Sequence, residues 1–294
     1  MFQVRLNDEY EPGTRNSEPG TAVTRTLKLT ISYEGTRFVG WQRQAAGESI
    51  QGLLEEALAR FEGAPVTVHG AGRTDAGVHA LAQVASVELT AAHDTSAILR
   101  GVNACLPGDI RVLHVEDAPE GFHARFSARS KTYRYMLRNA PVVSPFERAY
   151  VWHVPEPLDL QAMREAAAAL VGRHDFAAFQ SAGSDVSATV RTMTRSEWVP
   201  AADLTLRLTQ GHPEHGRGVT RSAPRDEGSL LAYEIAGDGF LRHMVRAVVG
   251  TLVEIGQGRR PVSSAAALLA GGRRSEAGAT APPHGLFLVG VDYD

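Results

Sequence analysis

Between residues 26 and 33 apolar and polar side chains alternate (Thr26, Leu27, Lys28, Leu29, Thr30, Ile31, Ser32, Tyr33), and Glu34-Gly35 then breaks the pattern. Period two predicts a half-buried strand ending in a turn. The next pattern is helical. Ile50, Leu53, Leu54, Ala57, Leu58 and Phe61 recur at helical spacing behind Ser49, a residue suited to an N-cap, and Pro65 ends the run. Residues 66–69 and 83–88 read as strands on either side of a Gly-rich loop. Residues 95–104 read as a helix and residues 110–115 as a further strand. Strands alternating with helices over short connections predict helices packed on one face of a sheet.

From Arg129 onward the order resumes. Residues 132–137 alternate as a strand, and residues 158–170 form an Ala-rich helical run. Residues 189–200 and 228–235 look like paired strands. Residues 201–227, rich in Gly, Pro, His and charge with weak periodicity, read as a long, partly disordered hairpin insertion. Asp238 or Gly239 is expected to open a helix from Phe240 to Glu254, closed by Gly256 and Gly258, whose apolar stripe runs from Phe240 through Val253. On such a helix Arg242 and Arg246, four apart, share one side. The run Leu286, Phe287, Leu288, Val289, Gly290, Val291 is apolar enough for a central strand. The expected fold class is α+β, an α/β sandwich of two sheet-and-helix halves. The expected divisions are a disordered tail at 1–24, one domain at 25–128 and another at 129–294.

Composition narrows the function. The chain has 294 residues, 43% hydrophobic and 21% charged, as expected for a globular protein. No stretch approaches the run of about 18 apolar residues that a membrane helix requires. The first two dozen residues lack the apolar core of a signal peptide. The single cysteine, Cys105, removes internal disulfides and cysteine-rich metal sites, and it points to a reducing cytoplasm. P-loop, dinucleotide, His-Glu-x-x-His, zinc-deaminase and serine-hydrolase signatures are all missing from the sequence. Side-chain chemistry without a metal or cofactor remains.

Net charge is −3, yet Arg125, Arg129, Lys131, Arg134 and Arg138 fall between Phe122 and Arg138 without one acidic residue, interleaved with His123, Phe126, Tyr133 and Tyr135. Cations for phosphates and aromatics for unstacked bases make an RNA-binding combination. A solvated basic strand face is the equally good plain reading. The densest set of candidates is Gly70-Ala71-Gly72-Arg73-Thr74-Asp75-Ala76-Gly77-Val78-His79. Its glycines permit tight turning and close approach to a ligand. Arg73 and Asp75 project together if the backbone between them is extended. An aspartate beside a cation is favoured in its charged form, which suits a nucleophile or base and not a general acid. By itself, however, a Gly-rich turn bearing an Asp is more often structural than catalytic.

The same loop, with Ala80, resembles the catalytic motif of the bacterial tRNA pseudouridine synthase A family. Five further stretches match that family in order. They are Tyr33 to Gln42, Ala128 to Tyr135, Gly172 to Phe176, Phe240 to Arg246, and Ala281 to Leu286, so the similarity runs from about Arg25 to the C-terminus. The resemblance implies two similar domains of mixed, mainly antiparallel sheets with helices on one face and a catalytic cleft between them. It implies Asp75 as catalytic carboxylate and Arg246 as its arginine partner. Tyr133 would stack on the target base, Leu286 would form an apolar wall, and Arg73 would help flip the nucleotide. Arg125, Arg129 and Lys131 are expected on the tRNA backbone. The implied reaction is isomerisation of uridine to pseudouridine at positions 38, 39 and 40 of the tRNA anticodon arm, by a homodimer and without a cofactor. Glu34, where aspartate is more usual, the 1–24 tail and the 201–227 insertion depart from the family pattern.

Two other functions compete. A non-catalytic tRNA-binding or folding protein on the same scaffold would tolerate Asp75→Asn. A glycosidic hydrolase would release free uracil, but paired acids at a usable spacing are not visible near Asp75.

Overall fold

A computed structural model describes residues 24–181, 188–200 and 228–293. The expected tail, apart from its last residue, and the expected 201–227 insertion lie outside the described residues. Among these residues ten strands form one sheet, in the order β4-β1-β3-β10-β5-β9-β8-β7, with β2 on β3 and β6 on β5. The strands are β1 (Arg25–Tyr33), β2 (Val68–Gly70), β3 (His79–Leu89), β4 (Ile110–Asp117) and β5 (Ser130–Asn139), then β6 (Trp152–Val154), β7 (Gly172–Asp175), β8 (Val190–Pro200), β9 (Ser229–Gly237) and β10 (Leu286–Asp292). Pairing is antiparallel except for β10 on β3 and β6 on β5. The fold is thus α+β with a large, mainly antiparallel open sheet, and the sheet is continuous across the division expected near Arg129.

The elements form for the reasons their sequences suggest. In β1, Leu27, Leu29, Ile31 and Tyr33 are buried while their neighbours are half-exposed, as period two requires. Helix α1 (Ile50–Glu62) starts where Ser49 Oγ accepts the Gly52 N–H at 3.1 Å. It stops at Gly63, left-handed at φ 73°, two residues before Pro65. Helices α2 (Thr95–Cys105) and α3 (Leu160–Ala168) are capped by the side chains of Asp94 and Asp159. Together with α4 (Met244–Gly256) and the short α5 (Ser264–Leu269), these helices share one apolar core with the sheet.

One helix starts later than its apolar pattern predicts. The Asp238 carboxylate, expected to open it, instead accepts the Thr192 N–H at 3.0 Å, and Asp238 N–H donates to Thr192 O. The chain then turns through His243, whose φ of 59° is left-handed and ends any helix entering from Phe240. Arg242 is therefore not helical and does not share a face with Arg246. Residues 240–241 are apolar because Leu241 enters the core and Phe240 packs against it, outside any helical stripe.

Strand β10 is central, as its apolar run suggests. It joins the two halves, with Phe287 opposite His79 on β3 and Leu288 opposite Tyr133 on β5. The loop before β3 and the middle of β5 are thereby brought to the same part of the sheet. On the other face of β5, Arg134 Nε and Nη2 donate to Glu234 Oε1 at 2.9 and 2.6 Å. Both side chains are nearly inaccessible to solvent, and Arg195 also pairs with Glu234.

Candidate active site

The loop from Ala71 to Val78 is held at several points. Ala71 N–H donates to Val84 O, and Gln83 Nε2 donates to Gly72 O at 2.9 Å. Thr74 O accepts the Trp41 N–H, while the Thr74 hydroxyl and the Tyr33 hydroxyl lie 2.8 Å apart. A turn closes when Val78 N–H donates to Asp75 O, with Gly77 at its third position and φ 77°. A positive φ there favours glycine. Gly40 (φ 108°) lets the preceding loop come close, since a Cβ would lie 2.6 Å from Thr74 O. Asp75 is presented from this braced backbone with its side chain 29% exposed.

Facing it is α4. Arg246 Nη1 donates to Asp75 Oδ2 at 3.2 Å, and Arg246 Nε donates to Ala281 O at 2.7 Å. His243 Nε2 stands 3.5 Å from the same carboxylate oxygen. Burial pulls the His243 pKa below its usual value more than the Asp75 charge lifts it, and Arg246 adds to the lowering. A ring so shifted is a poor general acid at neutral pH. The two side chains that contact the Asp75 carboxylate, Arg246 and His243, are nitrogen bases and not acids.

Residues 281–285 tie the site together. Ala281 N–H donates to Arg246 O, Pro282 O accepts the Tyr135 hydroxyl at 2.8 Å, and Pro283 packs against Gly77. His284 O faces His79 Nε2 at 3.1 Å, and His79 Nδ1 accepts the Gly35 N–H at 2.9 Å. A neutral imidazole protonated on Nε2 satisfies both bonds. Glu34 Oε1, 3.3 Å from Nδ1, favours the charged ring, but burial is the stronger effect and lowers the His79 pKa.

This predicts a pH dependence of stability. Unfolded histidine titrates near ~6.5, and folded His79 titrates lower. The unfolded chain therefore binds more protons as pH falls through that window, and stability decreases. Thermal midpoints measured from pH 8 to pH 5.5 should fall on the acid side of about 6.5. The slope should be shallower in His79→Gln, with the remainder coming from His123 and His243, which burial shifts in the same direction.

Tyr133 enters from β5. It is buried and meets Phe240 edge-on at 4.9 Å, and a Cβ on Gly72 would lie 3.9 Å from its hydroxyl oxygen. Burial raises its pKa above the ordinary phenol value, and the charge of Asp75 adds to the rise. Leu286, opposite Tyr135, belongs to the core at the site's base. Asp75, Arg246, Tyr133 and Leu286 are thus gathered at the joint of the sheet.

Arg73 is not. Its side chain is exposed and makes no ion pair with Asp75, whose neighbours are the Arg246 guanidinium and the His243 imidazole. The basic stretch divides as well. Arg134 is spent on Glu234, and Arg138 on Glu147 and the Gly228 carbonyl. Arg125 and Arg129 are exposed, and Lys131 is half-buried with its chain beside Gly72.

His243 and Phe240 escaped the sequence reading because a continuous helix was expected through them. The left-handed turn that aims His243 at Asp75 has no glycine to announce it. The 281–285 segment was seen as a motif, but its bracing role rests on carbonyl groups that carry no sequence signal.

A family model described as tRNA pseudouridine synthase matches residues 29–127 and 166–294. The chain is 43% identical over 267 residues to tRNA pseudouridine synthase A of Syntrophotalea carbinolica, covering 91% of this chain and 96% of that protein. It is 44% identical to the protein of that name from Myxococcus xanthus, covering 91% of each. For the Neisseria gonorrhoeae protein the figures are 42% identity, 93% and 94%. Asp75 and Arg246 both lie within the matched segments, and the chain belongs to the tRNA pseudouridine synthase A family.

Proposed function

We propose that this protein isomerises uridine to pseudouridine at positions 38, 39 and 40 of the tRNA anticodon arm, with Asp75 as the reacting carboxylate. The observation that carries the reading is the Asp75–Arg246 pair, 3.2 Å apart in space and 171 residues apart in sequence, beside a buried tyrosine. Family membership supports tRNA as substrate. A homodimer working in the cytoplasm is part of the same proposal.

The reaction breaks the C1′–N1 bond, turns the uracil, and joins C5 to C1′, so that a proton leaves C5 and N1 gains one. Uracil C6, ribose C1′ and the 2′ hydrogen that leads to a glycal are the three atoms a carboxylate can engage, and each route begins at Asp75 Oδ. The target base leaves its stack to reach this oxygen. Arg246 fixes the carboxylate's direction from α4, and its second bond to Ala281 O fixes the guanidinium in turn. Tyr133 and Phe240 supply aromatic surface at the depth of the catalytic loop. Arg73, exposed and unpaired with Asp75, is assigned in this reading to the displaced strand and not to the carboxylate. Electrons are neither gained nor lost in the net reaction, so these side chains suffice without a cofactor.

Lysine cannot replace Arg246, because one ammonium cannot hold both Asp75 and the Ala281 carbonyl as the guanidinium does. Arg246→Lys should lower the single-turnover rate by roughly 10²-fold, the size expected when a reacting group is misplaced by about an ångström. A rate within threefold of wild type would remove Arg246 from the orienting role.

The function itself is tested with unmodified tRNA carrying tritium at uracil C5. Turnover should release tritium to water in proportion to pseudouridine formed. If several tRNAs with uridine at these positions release none, the proposal fails.

A further inference from the structure

The stretch Phe122 to Ser127 carries a feature the catalytic geometry leaves unused. His69, in β2 just before the catalytic loop, packs at a tilt against His123, with ring centroids 4.8 Å apart and planes at 33°. His123 packs in turn against Phe126 at 4.4 Å, again tilted, at 35°. The column ends in solvent, with Phe126 77% exposed and the Arg125 guanidinium 5.7 Å from its ring.

The turn that displays Phe126 is rigid. His123 Nδ1 accepts the Arg125 N–H at 3.1 Å, and the Ser127 hydroxyl accepts the His123 N–H at 3.0 Å. Ala124 is pinned on both sides, its N–H donating to Ser86 Oγ and its carbonyl accepting the Tyr293 hydroxyl. Ala124 also packs with Ala71, the first residue of the catalytic loop. The aromatic column and Asp75 are therefore mounted on one braced piece of structure.

The charge around the column fits one kind of occupant. Arg125, Arg129 and Lys131 have no carboxylate within ion-pair distance among the described residues, and residues 122–138 contain no acid. Lys131 is half-buried, and burial, followed by the charges of Arg125 and Arg191, lowers its pKa against the smaller pull of Asp238. An exposed ring on a hydrogen-bonded turn, with the Arg125 guanidinium beside it and further unpaired cations along the same stretch, matches an RNA strand, whose bases stack while its phosphates are neutralised. It does not match a protein partner of ordinary apolar character.

We propose that His69, His123 and Phe126 form a second base-stacking platform, on which Phe126 takes an unpaired nucleobase of the same RNA while Arg125 and Arg129 hold its phosphates. The inference rests on the tRNA-modifying function proposed above and adds a site distinct from the Asp75–Arg246 centre.

The test uses an unmodified tRNA transcript with uridine at 38–40, the full-length protein, and the variants Phe126→Ala and Phe126→Trp. Phe126→Ala should weaken tRNA binding roughly tenfold, within the range measured when a stacking aromatic is cut to alanine. The loss should appear in Kd and KM, with kcat moved by less than about threefold because Asp75 and Arg246 are untouched. Phe126→Trp should bind within about twofold of wild type, since stacking needs a ring and not phenylalanine in particular. Unchanged affinity in Phe126→Ala overturns the proposal, as does equal weakening in both variants. A change of oligomeric state on sedimentation without loss of RNA affinity overturns it in favour of a second copy of the chain as occupant. If wild type forms no pseudouridine yet Phe126→Ala still loses affinity, the catalytic reading fails and the platform stands.

Discussion

Asp75→Asn should reduce single-turnover pseudouridine formation on the order of 10⁴-fold, the scale seen when a central catalytic group is removed. An amide has nearly the same shape and keeps an oxygen acceptor for Arg246, but it is neither a nucleophile nor a base. The loop should survive, because its bracing bonds come from Tyr33, Trp41, Gln83 and Val84 and do not involve the Asp75 side chain. The thermal midpoint should move by no more than about 2–4 °C, equivalent to ~1 kcal/mol in a chain of this size. tRNA binding should persist, which separates this loss from that of Phe126→Ala. Retained pseudouridine formation in a well-folded Asp75→Asn would remove Asp75 from the reacting role, whereas none from wild type or variant, with tRNA binding intact, would favour the non-catalytic scaffold.

The second large effect is on stability. Glu234→Ala should destabilise the fold by about 3–5 kcal/mol, because it strands the Arg134 guanidinium away from water with no counter-charge. Both partners are at most 6% exposed by side chain, so solvent screening is weak. The double variant Arg134→Met/Glu234→Leu removes the stranded charge and should recover most of the loss, because a buried ion pair contributes little over a packed apolar pair. Urea unfolding of the three proteins checks this. A single variant as stable as wild type would mean that water reaches Arg134. Arg134 and Glu234 sit on the β5 face opposite Tyr133, so the lesion reaches catalysis only through the strand that carries the tyrosine.

Much of the architecture was legible in the sequence because it follows from local chemistry. The alternation in β1, the Ser49 cap of α1 and the apolar run of β10 each report on burial that the residue's neighbours already encode. The start of α4 was not legible. Phe240 and Leu241 are apolar because of the core, and the same letters satisfy a helical stripe equally well. Nothing local announces that Thr192, 46 residues away, takes the Asp238 carboxylate. Strand order was hidden for a similar reason, since β10 reaches its place between β3 and β5 only after almost the whole chain has been made.

The site divides along the same line. The composition of the Gly70–His79 stretch marked a loop able to approach a ligand, yet an aspartate in a turn is ordinary, and resemblance to a family was needed to single out Asp75. Its partner could not come from spacing. Arg73, two residues away, was the cation that proximity in sequence suggested, but it is exposed, and the cation at Asp75 is Arg246 from α4, with the His243 imidazole beside it. The charge count of the basic stretch was equally blind to use. Arg134 and Arg138 are internal ion-pair partners, whereas Arg125, Arg129 and Lys131 have no carboxylate within ion-pair distance among the described residues.

The central claim is that Asp75 is the group that remakes the glycosidic bond of an anticodon-arm uridine. Site-resolved pseudouridine mapping of one tRNA, treated in parallel with wild type and Asp75→Asn, tests it most directly. The account predicts pseudouridine at positions 38, 39 or 40 wherever uridine stands there with wild type, and none above background with the variant. Modification at those positions by Asp75→Asn at a comparable rate would contradict it, as would an unmodified tRNA after wild-type treatment.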